Sequence, residues 1–213
     1  MPLKELRVID HPLVQRNLRI LRDKKTLSQE FRRVLAEVAA LMVYEATRDF
    51  ATTSRAVSTP LGPARGCVLK REVILIPVLR AGLGMLNPIL ELIPNARVGF
   101  IGLKREERTL VASAYHKSLP QNLKRFEILL IDPMLATGGS AVAALNLLTE
   151  HQATRMTLIN LIAAPEGIRH VHQYFPRVPI VTAAVDKGLN ESGFIIPGLG
   201  DAGDRLFGVT PNP

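Results

Sequence analysis

Five short runs of Val, Ile and Leu, separated by stretches of helical spacing, constrain this chain most. Residues 73–79, 98–103, 128–131, 156–163 and 180–185 are apolar nearly throughout, with little alternation. Strands of that kind are covered on both faces, the condition of a parallel sheet enclosed by helices. Residues 83–92, 140–151 and 166–175 supply helix candidates between them. The pattern predicts an α/β fold with an open, mostly parallel sheet flanked by helices. Ligands of such sheets sit beyond the carboxyl ends of the strands, so the loops after strands are searched first.

Upstream, residues 26–50 predict a helix. Thr26 and Gln29 have capping-box spacing, and Phe31, Val34, Leu35, Val38, Leu41 and Met42 recur at helical intervals. Residues 51–66 are polar and rich in Thr, Ser, Pro and Gly, which suits a loop or a short irregular hairpin. Residues 104–125 are long, polar and irregular, as lids and disordered loops are.

A length of 213 residues with 47% apolar content suits one domain with its own core. The lone Cys67 excludes an intrachain disulfide and a cysteine-rich zinc site, and fits a reducing compartment. His116, His151, His170 and His172 have no spacing that suggests a metal, and His11 reads as structural. Lys4, Glu5, Arg7 and Asp10 break any apolar leader, and the uncharged window 133–149 is too short for a membrane span. A cytoplasmic protein is expected. The net charge of +8 divides evenly, +4 in residues 1–55 and +4 in the remainder. That spread suggests a general attraction for anions rather than a basic tail for nucleic acid. The one dense cluster, Arg16 to Lys25, reads as a solvated helix face, with an anion or RNA contact as the alternative.

The most informative stretch is FEILLIDPMLATGGSAVAALNLL, where a strand ends at Asp132 and a helix begins near Ser140. Gly138 and Gly139 permit close approach to a ligand, and Thr137 and Ser140 add hydroxyls. The first amides of the new helix would suit a phosphate. Asp132 could orient ribose hydroxyls or a hydrated magnesium ion, or equally cap the helix. A Walker A loop would need Lys where Gly139 stands, which disfavours a nucleoside triphosphatase. Gly198, Gly200 and Gly203 spell the dinucleotide fingerprint, but only ten residues follow, too few for the helix and strand that give it meaning.

IDPMLATGGS resembles the phosphoribosyl diphosphate (PRPP) loop of the uracil phosphoribosyltransferase family. That family's other segments occur in order: DHPLVQRNLRILRDKKT near the start, IPVLRAGLGM at 76–85, AAPEG at 163–167 and GLNESGFIIPGLGDAGDRLFG at 188–208. The resemblance implies one phosphoribosyltransferase domain over 1–213, with an N-terminal helical arm (1–66), a core sheet (67–185) and a uracil-binding hood (186–213). It implies conversion of uracil and PRPP to UMP and diphosphate. Arg80 and Arg105 would hold the diphosphate, with Arg105 on a mobile loop over 104–118. Asp132, Pro133, Met134, Leu135, Ala136, Thr137, Gly138, Gly139 and Ser140 would wrap the 5-phosphate and ribose. Asp201 would join them, and Arg80, Asp132 and Asp201 would form the catalytic set. Main chain at Ile195, Gly200, Asp201 and Ala202 would read uracil. Magnesium would arrive on PRPP, with no direct side-chain ligand.

A non-proline cis peptide near Arg80 is a further implication. In this chain Val111-Ala112-Ser113-Ala114 replaces the acid and two prolines usual ahead of Tyr115. The resemblance also implies a homo-oligomer, at least a dimer, and GTP as an effector in some members. The alternative function is an RNA-binding pyrimidine-operon regulator of the same fold with residual transferase activity.

Overall fold

The computed structural model describes residues 5–105 and 112–209, with backbone only for Arg105 and 112–114. A short strand β1 (Leu6–Val8) leads into helices α1 (Pro12–Arg22) and α2 (Ser28–Ala46). The hairpin β2 (Thr52–Thr59) and β3 (Gly62–Leu69) follows, then β4 (Glu72–Leu79), α3 (Leu83–Leu92), β5 (Arg97–Val98), β6 (Phe100–Arg105) and β7 (Ala112–Ser118). Next come β8 (Phe126–Ile131), β9 (Met134–Leu135), α4 (Gly139–Glu150), β10 (Met156–Ala163), α5 (Pro165–Tyr174) and β11 (Ile180–Val185). The chain closes with β12 (Gly188–Leu189), β13 (Ile195–Ile196) and α6 (Ala202–Phe207).

The main sheet has the order β1-β11-β10-β8-β4-β6-β7, with β5 also beside β4 and β9 beside β10. All its pairings are parallel except β6 with β7. The runs at 73–79, 128–131, 156–163 and 180–185 lie in β4, β8, β10 and β11, while the run at 98–103 is divided at Gly99 between β5 and β6. Along β4 and β8 the side chains Ile74, Ile76, Ile128 and Leu130 pack on one face against Ala144 and Leu148 of α4 and Val171 of α5. Val73, Leu75, Leu129 and Ile131 point the other way, into a core with Val14, Phe31, Val38, Met85 and Leu206 of α1, α2, α3 and α6. Two buried faces explain the missing alternation.

Three local expectations are corrected. α2 starts at Ser28 and ends at Ala46, and Leu27 at its N-cap makes no side-chain bond. The Thr26 hydroxyl is used elsewhere, donating to the Ile20 carbonyl at 2.7 Å to close the turn after α1. Residues 51–66 belong to a regular hairpin that reaches Leu69, in place of a loop or a short irregular hairpin. It is paired residue for residue from Thr52–Leu69 to Thr59–Gly62, with almost every position exposed. Of the segment 104–125, residues 106–111 lie outside the described residues, and the rest is not irregular throughout, because β7 pairs antiparallel with β6 past a bulge at Gly102/Leu103. The exposed ring of Tyr115 lies over Gly102. His11 is structural, as expected: its Nδ1 accepts from Leu13 N–H at 3.2 Å and caps α1.

Candidate active site

At the carboxyl end of the sheet, β8 stops at Ile131 and the chain turns through Asp132 to Gly138 into α4. This turn is stitched to β10. Asp132 N–H donates to the Ile159 carbonyl at 3.1 Å, and the Pro133 carbonyl accepts from Leu161 and Ile162. Leu135 C=O accepts from Ala164 N–H at 2.8 Å. Asn160, a fully buried polar residue inside an apolar strand, donates Nδ2–H to the Asp132 carbonyl at 2.6 Å. The turn is therefore held by the sheet before any ligand arrives.

Gly138 caps α4 at φ 83°, so it offers no side chain to the first amides of the helix. Gly139 N–H has a long bond of 3.5 Å to Thr137 Oγ1. By helix geometry the next amides have no partner inside the helix, and the positive end of its dipole is there. It is the place where the sequence suggests an anion cradle. Asp132 is not the helix cap, since Gly138 takes that place.

A cleft of about 350 Å³ opens over this turn. Arg80, exposed just past the end of β4, lines it, as do Asp132, Met134, Leu135, Ala136, Gly138 and Ser140. Another wall comes from the C-terminal segment: Ile195, Gly200, Asp201 and Ala202. Groups far apart in the chain thus share one space. The Leu79–Arg80 peptide is cis, as the resemblance implied. Pro133 is buried against the sheet, and Thr137 turns its carbonyl to His170 Nδ1 at 2.8 Å, so these two support the turn from behind. Asp201 Oδ1 accepts from Asp204 N–H at 2.9 Å and caps α6. Arg105 ends β6, but its side chain lies outside the described residues.

Several contributors carry no motif of their own. Ser192, Gly193 and the half-exposed Phe194 line the cleft, and only their place in the 188–208 segment hints at it. Asn160 and His170 bond main-chain carbonyls of the turn, a duty that leaves no spacing pattern. Gly167 lets α5 press against the turn, since a Cβ there would stand 2.5 Å from the Ala136 carbonyl oxygen. A larger hollow of about 770 Å³ lies at the opposite end of the sheet, where Arg7, Arg155 and Arg177 are matched by Glu5, Asp49 and Glu127. Its balanced charge gives no preference for an anion.

Among the described residues, no group of three or more His, Cys, Asp or Glu is arranged to hold a metal ion. Asp132 and Asp201, reaching the cleft from different elements, suit a hydrated cation that arrives already bound to a ligand.

A family model described as uracil phosphoribosyltransferase matches residues 8–209. The chain belongs to the uracil phosphoribosyltransferase family. A uracil phosphoribosyltransferase of Thermoanaerobacter sp. (strain X514) is 50% identical over 207 residues, covering 97% of this chain and 99% of that protein. The solved structure of the AQ2163 protein from Aquifex aeolicus is 38% identical, with a TM-score of 0.91 over 97% of this chain and 100% of that one. The adenine phosphoribosyl transferase of Trypanosoma brucei, solved with AMP, pyrophosphate and ribose-5-phosphate, is 15% identical. It superposes with a TM-score of 0.58 over 94% of this chain and 90% of its own, so it speaks for the fold alone. The uracil phosphoribosyltransferase fold is therefore the α/β architecture anticipated from the five apolar runs. The relatives favour the enzyme over the RNA-binding regulator.

Proposed function

We propose that this enzyme transfers the phosphoribosyl group of PRPP to uracil, giving UMP and diphosphate. The observation that carries the reading is the meeting, in one cleft, of the anion cradle, Arg80 and the glycine-rich main chain of 195–203. The C1–O bond to diphosphate breaks as uracil N1 bonds the same carbon with inversion, and the N1 proton passes to solvent. The amides at the start of α4 take the 5-phosphate and fix the sugar. Arg80 takes the leaving diphosphate, where a planar guanidinium matches the growing negative charge. Arg105 is the second arginine of that grip. Asp132 orients the ribose hydroxyls. Asp201 assists loss of the uracil proton indirectly.

Uracil alternates carbonyl acceptors with N–H donors, which main-chain groups at Ile195, Gly200 and Ala202 can match. Cytosine sets an amino donor where uracil has an acceptor, so a buried donor would face a donor. Magnesium bound to PRPP supplies charge neutralisation of the diphosphate, and Asp132 and Asp201 would face its water shell.

The enzyme works as a homo-oligomer, at least a dimer. The exposed hairpin with Val57, Leu61, Val68 and Leu69 on its surface supports this, since isolated hairpins gain little stability alone. GTP as an effector and a cytoplasmic setting complete the proposal on family resemblance. No helix among the described residues is long and apolar enough to cross a membrane.

The deciding assay supplies labelled uracil, PRPP and magnesium, with cytosine and orotate alongside, with or without GTP or EDTA. UMP should form from uracil only, stop with EDTA and resume on excess magnesium. Absence of UMP, or equal use of cytosine, would overturn the reading.

A further inference from the structure

We infer that Arg22 and Asp186 are positioning residues for the pyrimidine, clamping the turn that carries the base-reading main chain. The inference rests on the uracil reading and deepens it. Arg22 ends α1, and its guanidinium meets Asp186 in a two-pronged pair, Nη1 to Oδ2 at 2.7 Å and Nη2 to Oδ1 at 2.6 Å. Both partners then grip one residue of the C-terminal segment. Arg22 Nη1 donates to the Gly198 carbonyl at 2.9 Å, and Gly198 N–H donates to Asp186 Oδ2 at 2.8 Å. The Asp186 side chain is only 6% exposed.

A second arginine crosses in the opposite direction. Arg205 of α6 donates to the Leu199 carbonyl at 2.9 Å, to the Asp23 carbonyl at 2.6 Å and to the Leu21 carbonyl. Its guanidinium lies 4.6 Å from the centre of the Phe31 ring. The end of α1 and the turn at 198–199 are thus tied from both sides.

The need for such a tie follows from how the base is read. Main-chain donors and acceptors cannot adjust by rotamer, so their aim is only as good as the placement of their peptide planes. The turn itself is conformationally permissive, with Gly198 at φ +59° and Gly200 at φ +80°. Gly198 folds back over Ile195, whose carbonyl oxygen would stand 2.2 Å from any Cβ there. Ile195 and Gly200 line the cleft on either side of the clamped pair, whereas Arg22 and Asp186 do not border it. The clamp therefore acts on uracil through Gly198 and leaves the PRPP turn, stitched to β10, untouched. It also gives the DHPLVQRNLRILRDKKT segment, whose Arg22 it uses, a task in recognition.

The experiment measures uracil and PRPP saturation separately for Arg22→Lys, Arg22→Ala and Asp186→Asn. Arg33→Ala, which removes an exposed pair with Glu37, is the control. A point-charge ammonium cannot serve both carboxylate oxygens and the Gly198 carbonyl, so Arg22→Lys should recover only part of the loss. Losing charge-assisted bonds predicts a rise in KM for uracil of roughly 10- to 100-fold in Arg22→Ala, with less in Arg22→Lys. KM for PRPP should stay within about twofold, because α6, capped by Asp201, keeps its own ties through Arg205 to the carbonyls of Leu21, Asp23 and Leu199. Should Arg22→Ala fail to fold, Arg22→Lys and Asp186→Asn carry the test. Folded variants with unchanged uracil KM, or with both constants raised together, defeat the clamp while wild-type UMP synthesis keeps the function. A wild-type enzyme that makes no UMP defeats both.

Discussion

Replacing Gly167 with Ala sets two well-understood effects against each other. Alanine is the better helix former by up to about 1 kcal/mol, so propensity alone predicts a stabler α5. Sterics predict the reverse. A Cβ at 167 would stand 2.5 Å from the Ala136 carbonyl oxygen and 2.8 Å from that of Leu135, both backbone atoms of the turn before α4. An ordinary contact begins near 3.4 Å, so helix and turn must separate by about 0.9 Å. Neither side yields readily. α5 is anchored in the core by Ile168 and Val171, and the turn is bonded to β10 through Pro133 and Leu135.

Overpacking of this kind costs about 1–3 kcal/mol, so the net loss after the propensity gain is up to about 2 kcal/mol. The net loss should lower Tm by up to roughly 8 °C in a chain of this size. The effect on catalysis should be larger. A displacement near 1 Å in a positioning element costs on the order of 100-fold in rate. Calorimetry and the kcat/KM for UMP formation give both numbers. Gly66→Ala is the control, since nothing lies within 4 Å of a Cβ there. A Gly167→Ala enzyme with a raised Tm, or with wild-type kcat/KM, would refute the steric argument.

Arg80→Ala should reduce kcat/KM by roughly 100- to 1,000-fold while the fold persists, because Arg80 is exposed in the free cleft. Near-normal UMP synthesis would remove it from the diphosphate site. Asp186 gives a pH prediction. Burial raises its pKa, but the Arg22 guanidinium and Gly198 N–H outweigh burial and hold the carboxyl below its ordinary 3.8. Its contribution is thus whole above about pH 3.8 and lost as pH falls through the lower folded value. Tm should fall more steeply with acid below pH 3.8 in the wild type than in Asp186→Asn, and parallel curves would contradict the sign. Finally, Val57→Asp with Leu61→Asp should shift the sedimenting species toward monomer, and an unchanged oligomer would assign the contact to another surface.

What was legible in the sequence follows a physical line. Strands buried on both faces announce themselves by composition, so 156–163 and 180–185 match β10 and β11 end to end. The β2–β3 hairpin has no buried face, and its Thr, Ser, Arg and Gly content is that of a loop. Only the pairing of its backbone makes it regular. β7 hides likewise, since ASAYHKS pairs along a single edge. Thr26 misled because a hydroxyl can serve either helix, and here the bond closes α1 instead of opening α2. At the cleft, Arg80 and most of the Asp132–Ser140 turn stand out in the sequence by their side chains and glycines. Asn160 and His170 do not, because each bonds a main-chain carbonyl that any residue would present.

The excess positive charge is the feature most easily misread, and the structure shows where part of it goes. Arg22 is bound to Asp186 and Gly198, and Arg205 to carbonyls at 21, 23 and 199. Arg7 donates to Asp49 and to the Glu45 carbonyl, and Arg48 pairs with Glu45. These arginines are structural ties and add little to a continuous basic face. Of the Arg16 to Lys25 cluster, Arg16, Arg19, Lys24 and Lys25 remain exposed, while Arg22 turns inward. Phosphate binding to nucleic acid needs a row of exposed cations in register with the backbone. Here the inward residue interrupts the cluster and bonds Asp186 and the Gly198 carbonyl instead. The same arginine that makes the segment look like a nucleic-acid contact in one dimension is, in three, a tie between the end of α1, Asp186 and the Gly198 carbonyl.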